Sequence, residues 1–259
     1  MRGTATSAIR RSEGYEFAEL REYDAGDDPR RIDWAASARA GALQTRVMIE
    51  DRSLTLAAAL DASASMFAGG NPPNYNRAMH AAELWYAMAT DEDCCARATA
   101  AGPLFPRSLP GRVAAHVCTA EPEEPGANFA QALATALAAL PRDAHLLIVS
   151  DFFDVAALER TLRACAARFD AVALLAGDPW DGALPLGGFV RLRDAESGTV
   201  ARVFVGARER ARYREAVETR ERTVLATLRR FGLRAARLGS AGPASALFEA
   251  LRSDAMRAA

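Results

Sequence analysis

The segment Asp61-Ala62-Ser63-Ala64-Ser65 sets one carboxylate and two hydroxyls at alternate positions. Three oxygens spaced in this way can turn toward one point. A hard cation such as Mg2+ asks for oxygen ligands in near-octahedral geometry with several waters retained. Asp151 offers a second carboxylate, directly or through a water. Both aspartates end apolar runs, Leu54 to Leu60 (unbroken except for Thr55) and Leu146-Leu147-Ile148-Val149 followed by Ser150. In a doubly wound sheet, ligands sit beyond the carboxyl ends of the strands, at the point where strand order reverses. A D-x-S-x-S pattern alone is short and arises by chance; its place directly after a buried strand gives it weight. The plain alternative is that Asp61 and the serines cap the next helix.

Other chemistries lack their parts. All 32 basic residues are arginine, since the chain contains no lysine. A P-loop needs a lysine on the nucleotide phosphates, and Schiff-base chemistry needs a lysine amine. A Mg2+-dependent hydrolase or phosphotransferase with Asp61 as nucleophile would need a second aspartate two residues on, where Ser63 stands. There is no G-x-S-x-G elbow. His80, His116 and His145 show no triad partners at recognisable spacing. Cys94, Cys95, Cys118 and Cys165 include no C-x-x-C pair, so reduced thiols are expected rather than a zinc site or a disulfide framework.

The elements that must position the aspartates follow from hydrophobic pattern. Ala171-Val172-Ala173-Leu174-Leu175 makes a third apolar run, and such runs suit a sheet buried on both faces. Helices are expected over Arg77–Ala89, Phe129–Leu140 and Val155–Phe169. Phe129, Leu133, Leu137 and Leu140 share one face, and Pro141 stops that helix. Val190–Arg193 and Val200–Val205 flank Asp194-Ala195-Glu196-Ser197-Gly198 as a hairpin. A charged helix from about Arg208 to Arg230 carries Tyr213, Val217, Val224 and Leu228 as its buried stripe, with a solvated, salt-bridged outer face. Strand alternating with helix predicts an α/β fold, a doubly wound, mainly parallel sheet of Rossmann type with an N-terminal extension. Residues 1–50 form that extension, packed on a main domain of residues 51–259.

Composition sets the remaining bounds. Half of the residues are hydrophobic and the net charge is −1, which fits a globular chain and gives no reason to expect nucleic acid. No apolar run approaches the roughly 18 residues a membrane helix needs. Met1-Arg2-Gly3-Thr4-Ala5 leads into no apolar segment of a signal peptide, so the expected location is cytoplasmic.

Asp61, Ser63, Ser65 and Asp151 resemble the metal-ion-dependent adhesion site of the von Willebrand factor A domain. In that family a third loop supplies a threonine hydroxyl before an Ala-Leu helix. The matching stretch here, Gly126-Ala127-Asn128-Phe129-Ala130-Gln131-Ala132-Leu133, has Ala127 in the threonine's place, and Asn128 offers a carbonyl from next door. The N-terminal residues Glu16-Phe17, Leu20-Arg21, Tyr23, Gly26-Asp27-Asp28, Arg30, Ile32-Asp33-Trp34 and Ala38-Arg39 resemble the hallmark of the bacterial "domain of unknown function 58" proteins. Gly177-Asp178-Pro179-Trp180 and the Asp194 to Gly198 hairpin extend the likeness over nearly the whole chain. The Gly-Asp-Asp-x-Arg-x-Ile-Asp-Trp run is its most specific part.

That resemblance implies a von Willebrand A-like domain, often encoded beside a MoxR-type AAA+ ATPase, acting as adaptor or chaperone-like partner in maturing an enzyme complex. One branch of the family belongs to methanol dehydrogenase maturation. The expected function is then non-enzymatic: Mg2+ (or Mn2+ or Ca2+), held weakly for want of the threonine, leaves a position for an acidic side chain of a client protein. A metal-free scaffold is the further alternative. On physical grounds, Asp27, Asp28 and Asp33 near Arg21, Arg30, Arg31 and Arg39 predict buried or half-buried ion pairs around Trp34.

Overall fold

In the computed structural model the described residues are 13–49, 53–69, 72–120, 123–180, 182–195 and 197–252. The side chains of Glu16 and Phe17, the backbone of Glu196, and the segment Met1–Ala5 lie outside them. The chain divides into two compact units, residues 1–53 and 54–259.

In the first unit, β1 (Glu13–Glu22) and β2 (Gln44–Ile49) pair antiparallel. Between them the aspartates of the N-terminal motif work as caps. Asp27 accepts from the Asp24 amide at 3.0 Å, and Asp28 accepts from the Arg30 amide at 3.0 Å to start the 3-10 turn Pro29–Arg31. Asp33 accepts from the Ala36 amide at 2.9 Å and so starts helix α1 (Trp34–Ala40), which Gly41 closes in the left-handed conformation. Each backbone amide thus satisfied is one that a helix or turn start otherwise leaves open. Backbone donation from Asp24 and from Ala36, reinforced by Arg21 and Arg46, holds the Asp27 and Asp33 carboxyls below the usual carboxylate range. Of the buried or half-buried ion pairs expected around Trp34, the half-buried kind forms: Asp27 and Asp33 pair with the exposed Arg21 at 2.5 Å and Arg46 at 2.8 Å, while Trp34 itself is 69% exposed. The same aspartates serve local capping as well.

The second unit holds a six-stranded sheet. Its strands are β3 (Thr55–Leu60), β4 (Cys94–Thr99), β5 (Gly102–Leu104), β6 (His145–Ser150), β7 (Asp170–Ala176) and β10 (Arg234–Leu238). Their order is β10-β7-β6-β3-β4-β5, all parallel except the short edge strand β5. Successive side chains on a strand point to opposite faces. Leu56, Ala58 and Leu60 therefore join one core with Leu147, Val149, Tyr75 and Trp85, while Ala57 and Ala59 join another with Leu146, Ile148, Phe129 and Leu162. Helices α3 (Asn74–Tyr86), α4 (Gly111–Ala120) and α8 (Pro243–Arg252) cover the first face. Helices α5 (Phe129–Ala139), α6 (Glu159–Arg168) and α7 (Ala207–Arg230) cover the second, and α2 (Ala64–Phe67) is a single turn after β3. The expected α/β architecture, a mostly parallel sheet between helical layers, is what the chain forms. Among the described residues no helix is long and apolar enough to cross a membrane.

Several boundaries differ from the sequence reading. Helix α3 starts at Asn74, not Arg77, because Pro73 supplies the extended residue before it and needs no amide partner. Helix α6 starts at Glu159, not Val155; Asp154 instead accepts from the Ala157 amide and holds the preceding residues in a turn. On α7, Tyr213 and Val217 are only half-buried. Glu221 falls on the same inward stripe as Val217, Val224 and Leu228; it is buried and accepts from Arg237 Nε at 2.6 Å and from the Asp178 amide at 3.1 Å. The hairpin consists of β8 (Gly188–Arg193) and β9 (Val200–Val205), paired antiparallel.

Candidate metal centre

The second unit begins in the middle of its sheet. From β3 the chain moves to β4 on one side, then returns through α5 to β6 on the other side of β3. The crevice between β3 and β6 is therefore the switch point, where loops diverge and leave room for a ligand. Asp61 follows the last residue of β3 and Asp151 the last residue of β6, so the fold sets both carboxylates at the mouth of that crevice. The Asp61 amide still donates to Val149 O at 2.8 Å, which carries the ladder one residue past the strand and fixes the aspartate's backbone.

Asp61 is 4% exposed. Its Oδ1 accepts from the Ser63 amide at 2.8 Å and its Oδ2 from the Ser150 hydroxyl at 2.6 Å. Ser150 Oγ in turn accepts from the Phe152 amide at 2.8 Å. Burial pushes the Asp61 carboxyl above the usual carboxylate range; the Ser150 and Ser63 hydrogen bonds oppose that push, and the neighbouring charge of Asp151 adds to it. Ser63 stands at the N-cap of α2, yet its side chain makes no capping hydrogen bond. Instead its Oγ lies 3.1 Å from Ser65 Oγ. The plain capping role expected of these serines is thus not how Ser63 uses its hydroxyl.

Asp151 is half-buried and its Oδ1 accepts from the Phe153 amide at 3.0 Å. The turn between them passes through Phe152 at φ 46°, a left-handed backbone that costs a non-glycine residue on the order of 1–2 kcal/mol. Packing holds it there. Phe152 is fully buried, edge-on to Phe129 with ring centroids 6.4 Å apart. As a result Phe153 projects outward, 80% exposed, with the Arg220 guanidinium 5.3 Å from its ring centroid. Arg220 Nη2 also donates to the Asp151 carbonyl at 2.8 Å.

The third loop closes on the first, since the Gly126 amide donates to Ala62 O at 2.7 Å. Ala127 packs half-buried against the core. Asn128 Oδ1 accepts from the Gln131 amide at 3.1 Å and caps α5, so its carbonyl serves the helix. The fold thus gathers Asp61, Ser63, Ser65 and Asp151, while Asn128 is exposed on the adjoining loop with one lone pair of its oxygen capping α5. Sequence pattern did not single out Ser150, Phe152, Phe153 or Arg220; the Ser150-Asp151 pair after an apolar run was the one available signal for the first.

The donor set fits a hard cation. It is all oxygen, with two carboxylates and two hydroxyls. Cis ligands of an octahedral ion with bonds of about 2.1 Å lie about 3.0 Å apart, and the two serine oxygens are 3.1 Å apart. Among the described residues neither carboxylate is paired with an arginine, in a chain with 32 of them. Arg220 bonds the main-chain carbonyl of Asp151, not its carboxylate, and the charges of the two acids oppose each other; a bound cation would relieve that repulsion. No three His, Cys, Asp or Glu side chains converge among the described residues, so water would complete any coordination shell.

Comparison with known proteins places the chain. An uncharacterized protein of Mycobacterium tuberculosis strain H37Rv is 33% identical over 231 residues, covering 85% of this chain and 73% of the relative. Uncharacterized proteins of Mycobacterium bovis and of Mycobacterium tuberculosis strain CDC 1551 match equally. Among solved structures, an aerotolerance-related membrane protein from Bacteroides fragilis aligns over 77% of this chain and 100% of its own, with TM-score 0.46 and 15% identity. The conserved hypothetical protein BatB from Bacteroides thetaiotaomicron aligns over 69% and 98%, with TM-score 0.40 and 14% identity. The family described as "Protein of unknown function DUF58" matches residues 19–223, and the chain belongs to it.

Proposed function

We propose that this chain is a metal-dependent protein-binding factor of von Willebrand A type, working as adaptor or chaperone-like partner of a MoxR-type AAA+ ATPase. One observation carries the reading: Asp61 and Asp151 stand at the switch point between β3 and β6, neither carboxylate ion-paired among the described residues, with the Ser63 and Ser65 hydroxyls turned to each other beside them. Asp61, Ser63, Ser65 and Asp151 would hold Mg2+, or Mn2+ or Ca2+. A bound ion would supply an open electrophilic position for a carboxylate of a client protein.

The chain's own residues prepare that encounter. Ser150 and the Ser63 amide hold Asp61 in one orientation. The left-handed turn at Phe152 aims Asp151 and leaves Phe153 at the rim. Both Asp61 oxygens already accept hydrogen bonds, which suits a fixed ligand better than an attacking nucleophile and speaks for binding over hydrolysis. The absence of lysine agrees with a division of labour in which a partner carries the P-loop and works beside this chain in the cytoplasm.

The test uses the purified MoxR-type ATPase of the same genome and the full chain. Capture in Mg2+ should fall by about tenfold or more, at least 1.4 kcal/mol, both in EDTA and in Asp61→Asn. Capture that ignores both changes would refute metal-dependent binding.

A further inference from the structure

We infer that the outer face of the β8–β9 hairpin is a second docking surface, and that it takes an extended acidic polypeptide segment as an added strand. The register pairs Phe189 with Phe204, Arg191 with Arg202 and Arg193 with Val200. Alternation puts these six side chains on one face, while Val190 and Val203 turn half-buried to the other. Phe189 is 89% exposed and Phe204 55%, with their rings edge-on at 5.1 Å between centroids. Val200 is also exposed.

Two features of this face act against an isolated hairpin. Arginines directly opposite each other are destabilising, and among the described residues Arg191, Arg193 and Arg202 have no acidic partner. A two-stranded sheet is also marginal alone and leaves strand edges unpaired; among the described residues β8 and β9 pair only with each other. An anionic partner that brings its own backbone corrects both. Its carboxylates neutralise the arginines, its amides and carbonyls complete the ladder, and an apolar residue covers the phenylalanines.

The same observations rank the other occupants lower. A second copy of this face would oppose arginines with arginines. A lipid headgroup layer or a nucleic acid offers negative charge but no strand-pairing groups, and the turn beyond the arginines carries the exposed Asp194. Beside either strand, a carboxylate opposite Arg191 or Arg202 stands two residues from an apolar side chain opposite Phe189 or Phe204. The inference is independent of the metal centre, so binding here should persist in EDTA and in Asp61→Asn.

The probe is a labelled synthetic peptide of about eight residues, the length of a long strand, with glutamate and valine taking turns at every second position and threonine between them, so that both fall on one face. It is titrated against the full chain at low salt. It should bind, weaken as salt rises, and lose about tenfold or more in affinity with Arg191→Gln/Arg202→Gln. Phe189→Ser/Phe204→Ser should weaken it too, and the same peptide with lysine in place of glutamate should not bind. Arg191→Glu places a carboxylate opposite Arg202, so it should keep or raise the melting temperature while lowering peptide affinity; a purely structural role would not separate those readouts. The inference falls if the peptide does not bind or if the arginine variants bind it as the wild type does. It also falls if arginine-dependent binding to phosphatidylserine vesicles or to oligothymidylate exceeds that to the peptide.

Discussion

Arg97→Ala should cost about 3–5 kcal/mol of folding stability, the usual penalty for breaking a buried ion pair from one side. Arg97 lies on β4 with its side chain 3% exposed, and its guanidinium serves at least three partners. It donates to Tyr75 Oη at 2.7 Å, to Glu123 Oε1 at 3.2 Å and to Cys118 O at 3.3 Å. Tyr75 Oη also accepts from the Glu123 amide at 2.6 Å, so the network ties β4 to α3, α4 and the loop that leads into Gly126. Truncation leaves Glu123 and Tyr75 half-satisfied in a closed space. Removing the charges at both ends, Arg97→Met/Glu123→Gln, should be much milder than Arg97→Ala, because no buried charge is then stranded.

The pH dependence has a defined sign. Burial pushes the Glu123 carboxyl up, and Arg97's charge only partly offsets this. A carboxyl whose folded pKa exceeds its unfolded value binds its proton more tightly when folded, so it withdraws stability as pH rises through the folded value. Without Arg97 that pKa moves further up. The deficit of Arg97→Ala should therefore be smallest in acid and grow toward neutral pH. Urea unfolding of wild type and variant at pH 5 and pH 7.5 reads both effects; a loss below about 1 kcal/mol at neutral pH would show that the network is dispensable.

Mg2+ should stabilise the wild-type chain, and Asp61→Asn should abolish that effect. A ligand present at about 100 times its dissociation constant stabilises the folded state by about 2.7 kcal/mol. In a protein of this size that raises the melting temperature by roughly 5–10 °C. Asparagine keeps the shape of Asp61 but loses the charge, and its amide nitrogen cannot accept from Ser150 or from the Ser63 amide. The variant should start about 1–3 kcal/mol less stable and show no Mg2+-dependent shift. An undiminished shift in Asp61→Asn would place the ion elsewhere.

How far the sequence discloses all this depends on the range of the interactions involved. Strands β3, β6 and β7 announce themselves as apolar runs because each is buried on both faces. Strands β4 and β10 do not, since Arg97, Arg234 and Arg237 break their pattern. Those arginines are tolerated because Glu123, Asp170 and Glu221 meet them from distant parts of the chain, which no local window contains. The candidate site divides in the same way. Asp61, Ser63, Ser65 and Asp151 are legible from short motifs after apolar strands. Ser150 acts across 89 positions of chain, and Phe152 through a backbone angle that its residue type does not suggest. The N-terminal aspartates read as ion-pair partners by composition; Asp27 and Asp33 do pair with Arg21 and Arg46, but Asp27, Asp28 and Asp33 also accept from backbone amides two or three residues away, a capping role that composition does not disclose.

Calorimetric titration of Mg2+ into the full chain should show saturable binding of one ion per chain and none in Asp61→Asn. Ala127→Thr should gain about tenfold, worth about 1.4 kcal/mol, by adding a hydroxyl to the third loop. A folded wild-type chain that takes up neither Mg2+, Mn2+ nor Ca2+ would contradict metal-dependent binding at Asp61.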